Sequence, residues 1–322
     1  MYKKSIKNII VILAILMIGI SSFAQEKVEV RPYTIATTVE KLKKDYPFIK
    51  PINPLTSDSF LAVEDIAYKE TETSVLKLDV YYPSVKTEKK RPAVLLVHGG
   101  GWISGSKENQ RIMAQHLADY GFVAVAASYR LSLETKYPAA VIDLKDALRW
   151  MRKNAETYKL NPNKIAILGT SAGAQLATLI GVTADSKLYN EKNKTITSAV
   201  QAIVNIDGIV SFIHPEASAE GEMAGFWLDG NRDINPKNWK EASPLEYVNN
   251  ETPPTLFINS AQPRFHAGRD DMVKILNENG IYSEVHTLED SPHSFWLLHP
   301  WFETTLEYTV SFLDKVFKNS EK

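Results

Sequence analysis

Apolar runs alternate with amphipathic stretches along most of the chain, from about residue 63 onwards. Alternating apolar and polar positions at 63–68 and 75–82 predict two antiparallel strands at the start of this region. Six further runs predict the other strands, at 91–98, 122–128, 165–168, 199–206, 255–259 and 283–288. Because continuous apolar strands separated by helices are buried on both faces, they indicate a parallel sheet covered by helices.

Apolar residues at helical spacing lie between these strands. The spacing predicts helices at 110–120, 137–158, 172–180, 267–279 and 301–317. In the second of these helices, Val141, Leu144 and Leu148 recur on one face, which assigns them to the core rather than to a cofactor site. The alternation therefore predicts one α/β domain, with an eight-stranded, mostly parallel sheet and helices on both faces.

Residues 1–24 have the pattern of a secretory signal peptide. Lysines near the start precede an apolar run at 9–20, and small residues lead to an expected cut after Ala24. A retained membrane anchor is the alternative, but the apolar run is short for a membrane-spanning helix. We therefore expect an exported protein, periplasmic or extracellular, without a stable membrane anchor.

Two other segments fall outside the alternation. Residues 25–62 are polar and contain several prolines, with one or two helical turns near 38–45, and predict an extension packed along the surface of the α/β domain, 63–322. Residues 211–250 have no clean periodicity but carry large aromatic residues, among them Phe226, Trp227, Trp239 and Tyr247. This segment predicts either a small cap over the C-terminal end of the sheet or a structural loop.

Composition narrows the function classes. The 322 residues carry a formal net charge of −1 and no basic stripe interleaved with aromatic residues, which argues against a nucleic-acid binder. The sequence contains no cysteine, so disulfides, thiol catalysis and a lipid anchor on an N-terminal cysteine are excluded. The pattern of a zinc cluster, a phosphate loop or a dinucleotide site is also missing, so we expect no metal and no organic cofactor.

The first candidate for chemistry is Ser171, at the centre of the sequence GTSAG. The predicted strand 165–168 precedes this motif, and a helix of small residues follows it. Gly169 and Gly173 leave room for a turn sharp enough to lift the serine hydroxyl out of the sheet. The motif in this context predicts a nucleophile elbow.

The second candidate is the sequence HGGGW, residues 98–102, which follows a predicted strand. Its three glycines let the backbone approach a substrate closely, so that N–H groups point at a developing oxyanion. Together with the serine elbow, the motif predicts an oxyanion hole formed by Gly99, Gly100 and Ala172, and a flexible loop is the alternative.

With HGGGW upstream of GTSAG, the chain resembles the α/β-hydrolases over about 63–317, in the subgroup of esterases that carry both motifs. The resemblance implies a serine carboxylester hydrolase in which the serine comes first, the acid later and the histidine last. It implies that the base is His293, in SPHSFW after the strand 283–288. His293 would take the proton of Ser171 as the hydroxyl attacks an ester carbonyl, and water would then hydrolyse the acyl-enzyme.

The acid of the expected triad departs from the family pattern. The resemblance places an Asp shortly after the strand 255–259, but residues 260–266 contain no carboxylate. Asp207, at the end of the preceding strand, is the first candidate, and a turn capped by Asp207 beside Gly208 is its structural alternative. Asp270 and Asp271 are the second candidates, although both are expected near a helix N-terminus, where carboxylates need no catalytic explanation.

The resemblance to secreted bacterial esterases of plant polysaccharides implies an acylated or methylated polysaccharide or oligosaccharide as the substrate. Removal of acetyl groups from xylan or pectin is the first interpretation, and hydrolysis of pectin methyl esters is the second. Arg264 favours the second, since its guanidinium would bind a uronate carboxylate, unless it forms an internal salt bridge. Four tryptophans would provide a platform for sugar rings unless they pack structurally, namely Trp102, Trp227, Trp296 and Trp301.

Three other functions use the same fold: a carboxylesterase for small molecules, a serine exopeptidase and a binding protein without activity. An exopeptidase of the prolyl-peptidase type carries an N-terminal propeller, and this chain is too short for one. An inactive binding protein would lack the nucleophile or the base, and both are present here.

Overall fold

The computed structural model describes residues 30–184, 186–189, 195–217 and 221–319. Contacts divide the chain into residues 1–31 and 32–322, and the second unit contains the fold. The predicted signal peptide, residues 1–24, lies outside the described residues. Among the helices that are described, none is long and apolar enough to cross a membrane.

Ten strands are described, and eight of them form the central sheet. Their bounds are β1 Lys50–Pro51, β2 Phe60–Glu70, β3 Val75–Pro83, β4 Arg91–Val97, β5 Val123–Ala127, β6 Leu160–Thr170, β7 Ala202–Ile206, β8 Thr255–Ser260, β9 Ser283–Leu288 and β10 Leu298–His299. The sheet has the order β2-β3-β5-β4-β6-β7-β8-β9, and β1 pairs with β10 in a separate ribbon. Within the eight-stranded sheet only the pairs that involve β3 are antiparallel, so the predicted eight-stranded, mostly parallel sheet is confirmed.

Helices cover both faces of this sheet. They are α1 Ile35–Leu42, α2 Arg111–Asp119, α3 Ala139–Lys153, α4 Ala172–Val182, α5 Gly221–Trp227, α6 Pro236–Glu241, α7 Arg269–Glu278 and α8 Trp301–Asn319. Successive residues of β4 point to opposite faces, so Leu95 packs in the core beneath α3 and α4, whereas Leu96 packs beneath α2 and α8. Burial on both faces explains why the strands read as continuous apolar runs.

Several element boundaries differ from those predicted. The helix α1 lies three residues earlier than expected, because Thr34 and Thr37 form a capping box at its start. The helix α3 ends at Lys153, and the Asn154 side chain then donates a hydrogen bond to the Trp150 carbonyl at 2.8 Å. The expected boundary between residues 62 and 63 falls inside β2, so the N-terminal extension runs directly into the sheet.

The described part of 211–250 packs as an ordered segment after β7. It contains α5, α6 and a 3₁₀ turn at Pro244–Tyr247. The Trp227 ring lies parallel to the Trp102 ring, with centroids 5.1 Å apart, and Trp239 is buried beside it. The segment is therefore joined to the apolar core next to HGGGW, and its use as a cap stays a prediction.

Candidate active site

The turn between β6 and α4 has the geometry of a nucleophile elbow. The Ser171 backbone has φ 54° and ψ −124°. Residues other than glycine rarely adopt this conformation unless the surrounding structure holds them in it. A Cβ atom at Gly169 would lie 2.0 Å from the Gly173 carbonyl oxygen, and one at Gly173 would lie 2.3 Å from that of Val97. Both positions therefore require glycine, and the tight packing leaves Ser171 at the tip of the turn.

Three side chains from separate loops meet at this turn. The Ser171 Oγ lies 2.8 Å from His293 Nε2, and His293 Nδ1 lies 2.7 Å from Asp207 Oδ2. Since a carboxylate only accepts hydrogen bonds, Nδ1 carries the proton and Nε2 accepts from the serine hydroxyl. The other oxygen of Asp207 accepts the Ser260 N–H at 2.9 Å, so the carboxylate is held from two sides.

Asp207 reaches His293 because of the backbone at the end of β7. Its φ is 55°, and its N–H donates to the Ile258 carbonyl of β8 at 2.9 Å. The adjoining turn is capped by Asn205, whose Oδ1 accepts the Gly208 N–H at 2.9 Å, rather than by Asp207. The Asp207 carboxylate is completely buried and directed at the imidazole.

The structure places the other two candidate acids away from this contact. Asp270 is 81 % exposed and pairs with its neighbour Arg269 at 2.8 Å. Asp271 is 60 % exposed and lies 3.2 Å from His214 Nε2. Both are at the start of α7, where a carboxylate interacts favourably with the helix N-terminus.

Two aromatic rings enclose His293. The Phe265 ring stacks on the imidazole with centroids 3.6 Å apart and planes 14° apart. The Trp296 ring contacts the imidazole edge at 5.1 Å. Phe265 was missed by the sequence analysis, because only the tertiary fold shows that the loop without a carboxylate packs on the histidine.

The HGGGW loop runs beside Ser171. A Cβ atom at Gly99 would lie 3.0 Å from the Ser171 Cβ, and Gly100 has a φ of 114° that favours glycine. None of the turn, loop and side-chain hydrogen bonds within the described residues uses the amide of Gly99, Gly100 or Ala172. These N–H groups are therefore available to an anionic oxygen formed at Ser171.

His98 supports the glycine loop from inside the protein. Its ring is buried and stacks on Tyr129 with centroids 4.3 Å apart, and its Nδ1 lies 2.7 Å from the Gly99 carbonyl oxygen. Burial lowers the pKa of His98 from 6.5 to about 4, so the ring is neutral at pH 7. The neutral ring donates its Nδ1–H to Gly99, which fixes the orientation of that peptide group.

We expect the lowered pKa of His98 to make the fold sensitive to acid. Stability from the neutral ring is fully present above the unfolded pKa of 6.5 and is lost as pH falls towards the folded pKa of about 4. Between urea unfolding near pH 7.5 and near pH 4.5, the wild type should lose about 2 to 3 kcal/mol more stability than His98→Gln does. An equal loss in both proteins would contradict this role of the histidine.

A narrow pocket adjoins Ser171. It is lined by Trp102, Ser171, Gln175, Gly208, Ile209 and Phe265, and its volume is about 20 Å³, room for about one water molecule. The Trp102 N–H donates to Gln175 Oε1 at 3.0 Å, and Gln175 Nε2 donates to the Ala242 carbonyl at 2.8 Å. These bonds fix the walls of the pocket.

The predicted tryptophan platform for sugar rings is wrong. The exposed fraction of each ring is at most 8 %, for Trp102, Trp227, Trp296 and Trp301 alike. The reason is that each ring packs on other aromatic side chains, as Trp102 does on Trp227 and Trp301 on Tyr46. Trp102 instead contributes to the wall of the narrow pocket, and Trp296 contacts His293.

Arg264 lies on the surface, above the Phe265 ring. Its guanidinium carbon is 4.4 Å from that ring centroid, and its side chain is exposed. The ion pairs found within the described ranges do not include Arg264, so the internal salt bridge considered above is not formed there. In the same part of the chain, no group of three or more His, Asp or Glu side chains is arranged to hold a metal ion.

Comparison with known proteins assigns the chain to a family. A family model described as BD-FAE matches residues 78–277, which is more than half of the sequence. The chain belongs to the BD-FAE family.

Curated relatives of this BD-FAE family member include mycobacterial esterases. It is 26 % identical to the probable carboxylic ester hydrolase LipM of Mycobacterium tuberculosis over 234 residues, 71 % of this chain and 52 % of that protein. It is 28 % identical to esterase LipC of the same organism over 220 residues, 66 % of this chain and 53 % of that protein. The chain thus spans about half the length of these relatives.

Solved structures of esterases share the fold. The propionate-bound esterase Est2 of Thermogutta terrifontis has a TM-score of 0.66 and 26 % identity, covering 79 % of this chain and 94 % of that one. A truncated carbohydrate esterase from gut microbiota has a TM-score of 0.69 at 19 % identity, covering 82 % of this chain and 99 % of that one, and shows the fold alone. The α/β-hydrolase fold implied by the two motifs is confirmed.

Proposed function

We propose that this member of the BD-FAE family hydrolyses carboxylic esters through an acyl-enzyme on Ser171. The observation that carries the proposal is the continuous hydrogen-bond path from Ser171 through His293 to the buried Asp207. His293 Nε2 takes the hydroxyl proton as Oγ attacks the ester carbonyl. Asp207 holds the ring in the required tautomer and stabilises the imidazolium that forms.

The tetrahedral intermediate carries its negative charge beside the glycine loop. The amides of Gly99, Gly100 and Ala172 donate hydrogen bonds to this oxygen, which lowers the barrier. The imidazolium of His293 then protonates the departing alcohol, and the acyl group stays on Ser171. In the second half of the reaction His293 takes a proton from water, the hydroxide attacks the acyl carbonyl, and the proton returns to Oγ.

The proposed substrate is an acetylated plant cell-wall polysaccharide, xylan or pectin, which the protein hydrolyses after its export. The narrow pocket beside Ser171 is compatible with an acetyl group, because its volume of about 20 Å³ has room for about one group of the size of a water molecule or a methyl group. The fold likeness to a protein named as a carbohydrate esterase is compatible with this choice. The predicted signal peptide supports export to the periplasm or the cell exterior.

Released acetate and methanol distinguish the candidate substrates. Acetylated xylan and acetylated, methylated pectin are incubated side by side with the wild type and with Ser171→Ala. We expect acetate from at least one polysaccharide, little methanol from pectin, and neither product from the variant. Methanol as the main product from pectin would show that methyl esters, and not acetyl esters, are the substrate. Release of acetate or methanol by Ser171→Ala would contradict the mechanism.

Hydrolysis of pectin methyl esters is the second candidate, and the exposed Arg264 favours it. The guanidinium lies on Phe265, which itself stacks on His293, so it is close to the proposed catalytic base. There it would bind the carboxylate of a uronate unit, a charge-assisted contact on the order of 10-fold in affinity. In the polysaccharide assay, Arg264→Ala should slow the reaction on pectin and spare xylan, whereas Lys274→Ala, which removes another exposed cation, should spare both.

A further inference from the structure

We infer that the N-terminal segment, residues 33–52, positions the catalytic base, with Tyr33 as the residue that joins the chain just after the glycine loop to the loop of His293. This inference rests on the proposed function, because it assigns His293 the role of base. The end, the middle and the start of the segment each contact the part of the chain around His293.

The end of the segment is hydrogen-bonded to the chain that follows His293. The short strand β1 pairs with β10 in antiparallel register, with Lys50 opposite His299 and Pro51 opposite Leu298. The next residue, Ile52, donates its N–H to the Leu297 carbonyl at 3.2 Å. Since β10 begins five residues after His293, this ribbon fixes one end of the base-carrying loop.

The middle of the segment packs on the start of α8. The Tyr46 and Phe48 rings lie 5.9 Å and 5.8 Å from the Trp301 ring, measured between centroids. Ile49 and Ile52 are buried in the same apolar cluster as Trp296. The segment therefore packs in the same apolar cluster as the residues that follow His293.

Tyr33, at the start of the segment, lies between the chain just after the glycine loop and the neighbours of His293. Its carbonyl accepts a hydrogen bond from Asn109 Nδ2 at 3.1 Å, and a Cβ atom at Gly105 would lie 3.3 Å from its ring. Its buried hydroxyl faces Ser294 and Trp296, the neighbours of His293, without a hydrogen bond of full geometry to any described side chain. Burial raises the pKa of this hydroxyl to about 12, so it stays protonated.

The loop of His293 needs such external support. Asp290 and Ser294, on either side of the histidine, have φ values of 54° and 75°, which are unfavourable for residues other than glycine. Conformations of this kind persist only where the surrounding structure holds them. Because a shift of about 1 Å in a catalytic group lowers the rate about 100-fold, contacts that hold this loop act directly on turnover.

A purely structural role for the segment gives a different result from a positioning role. If the segment only covers apolar surface, its loss lowers the melting temperature and the fraction of active molecules. If it positions His293, the rate of each active molecule falls, while the KM for a small ester changes little. Turnover per titrated active site therefore separates the two roles.

The test compares Tyr33→Ala with Tyr33→Phe and with the control Tyr120→Ala in the full chain, using p-nitrophenyl acetate. Active sites are counted by stoichiometric phosphonylation. We expect Tyr33→Ala to lower kcat per active site at least about 10-fold, with KM within about threefold. Tyr33→Phe, which keeps the ring, should restore most of the rate. Tyr120→Ala removes an exposed tyrosine ring outside the segment and should leave kcat per active site unchanged.

Unchanged kcat per active site in Tyr33→Ala would overturn the inference, as would a Tyr33→Phe variant that is as slow as Tyr33→Ala. If Tyr33→Ala does not fold, Asn109→Asp removes the donor to the Tyr33 carbonyl, keeps the oxygen that accepts the Ser106 N–H, and should lower kcat in the same way. A wild type that hydrolyses no ester would contradict the proposed function instead. In that case the inference can still be tested by the downfield NMR signal of the proton in the hydrogen bond between His293 and Asp207. Persistence of this signal in Tyr33→Ala would overturn the inference.

Discussion

Ser171→Ala is expected to abolish ester hydrolysis, with kcat lowered at least about 10⁴-fold. The variant removes the oxygen that lies 2.8 Å from His293 Nε2 and that forms the acyl bond. The neighbouring glycines, which shape the turn, are untouched, so the thermal unfolding curve should stay close to that of the wild type. The measurement is hydrolysis of p-nitrophenyl acetate by the purified variant, together with its melting temperature.

A wild-type rate in Ser171→Ala would contradict the proposed mechanism in every part. Ser294→Ala serves as the matched control, because it removes another serine hydroxyl beside His293 without removing the nucleophile. It should retain a rate far above that of Ser171→Ala.

Asp207→Asn is expected to lower kcat about 10⁴-fold. An asparagine keeps the shape and can still accept the Ser260 N–H through its amide oxygen, so the fold should survive. It carries no charge to stabilise the imidazolium of His293, and its NH₂ group favours the wrong tautomer of the ring. The measurement is kcat for p-nitrophenyl acetate, with far-ultraviolet circular dichroism as the test of folding.

Asp270→Asn and Asp271→Asn are the matched controls for the acid. Both carboxylates are exposed at the start of α7, and their contacts are with Arg269 and His214. Each variant should keep kcat within about twofold of the wild type, as is usual for surface substitutions. A large loss of kcat in either control, with Asp207→Asn still active, would mean that the triad acid is Asp270 or Asp271 and not Asp207.

The fold and the nucleophile are predictable because their signals are local. Continuous apolar runs follow from burial of the strands on both faces, and the turn at Ser171 needs glycine two residues before and two residues after it. Both signals are readable over a few neighbouring positions. The motif HGGGW is local in the same sense, since its glycines serve a backbone that passes beside the serine.

The acid was left open because tertiary structure decides it. The sequence offers Asp207, Asp270 and Asp271 at the ends of elements that all lie near one edge of the sheet. The choice depends on the positive φ of Asp207 and on the bond of its N–H to Ile258 in the adjacent strand. Neither can be read from a composition or a spacing.

Side-chain exposure and long-range contacts are the other features that the sequence patterns do not predict. The sequence does not show whether the ring of a tryptophan near a motif faces solvent or the core. The tryptophan rings near these motifs face the core. The contacts of Phe265 with His293 and of Tyr33 with Asn109 join residues far apart in the chain. Such contacts leave no periodic trace in the sequence.

Covalent capture of the nucleophile tests the proposed mechanism most directly. An activated alkyl phosphonate ester mimics the tetrahedral intermediate and forms a stable bond to the attacking oxygen. After incubation, proteolysis and mass spectrometry should find one phosphonyl group per active molecule, on the peptide that contains Ser171, with a matching loss of ester hydrolysis. Complete inactivation with the label on another residue, or full activity after Ser171 has been labelled, would contradict an acyl-enzyme at this serine.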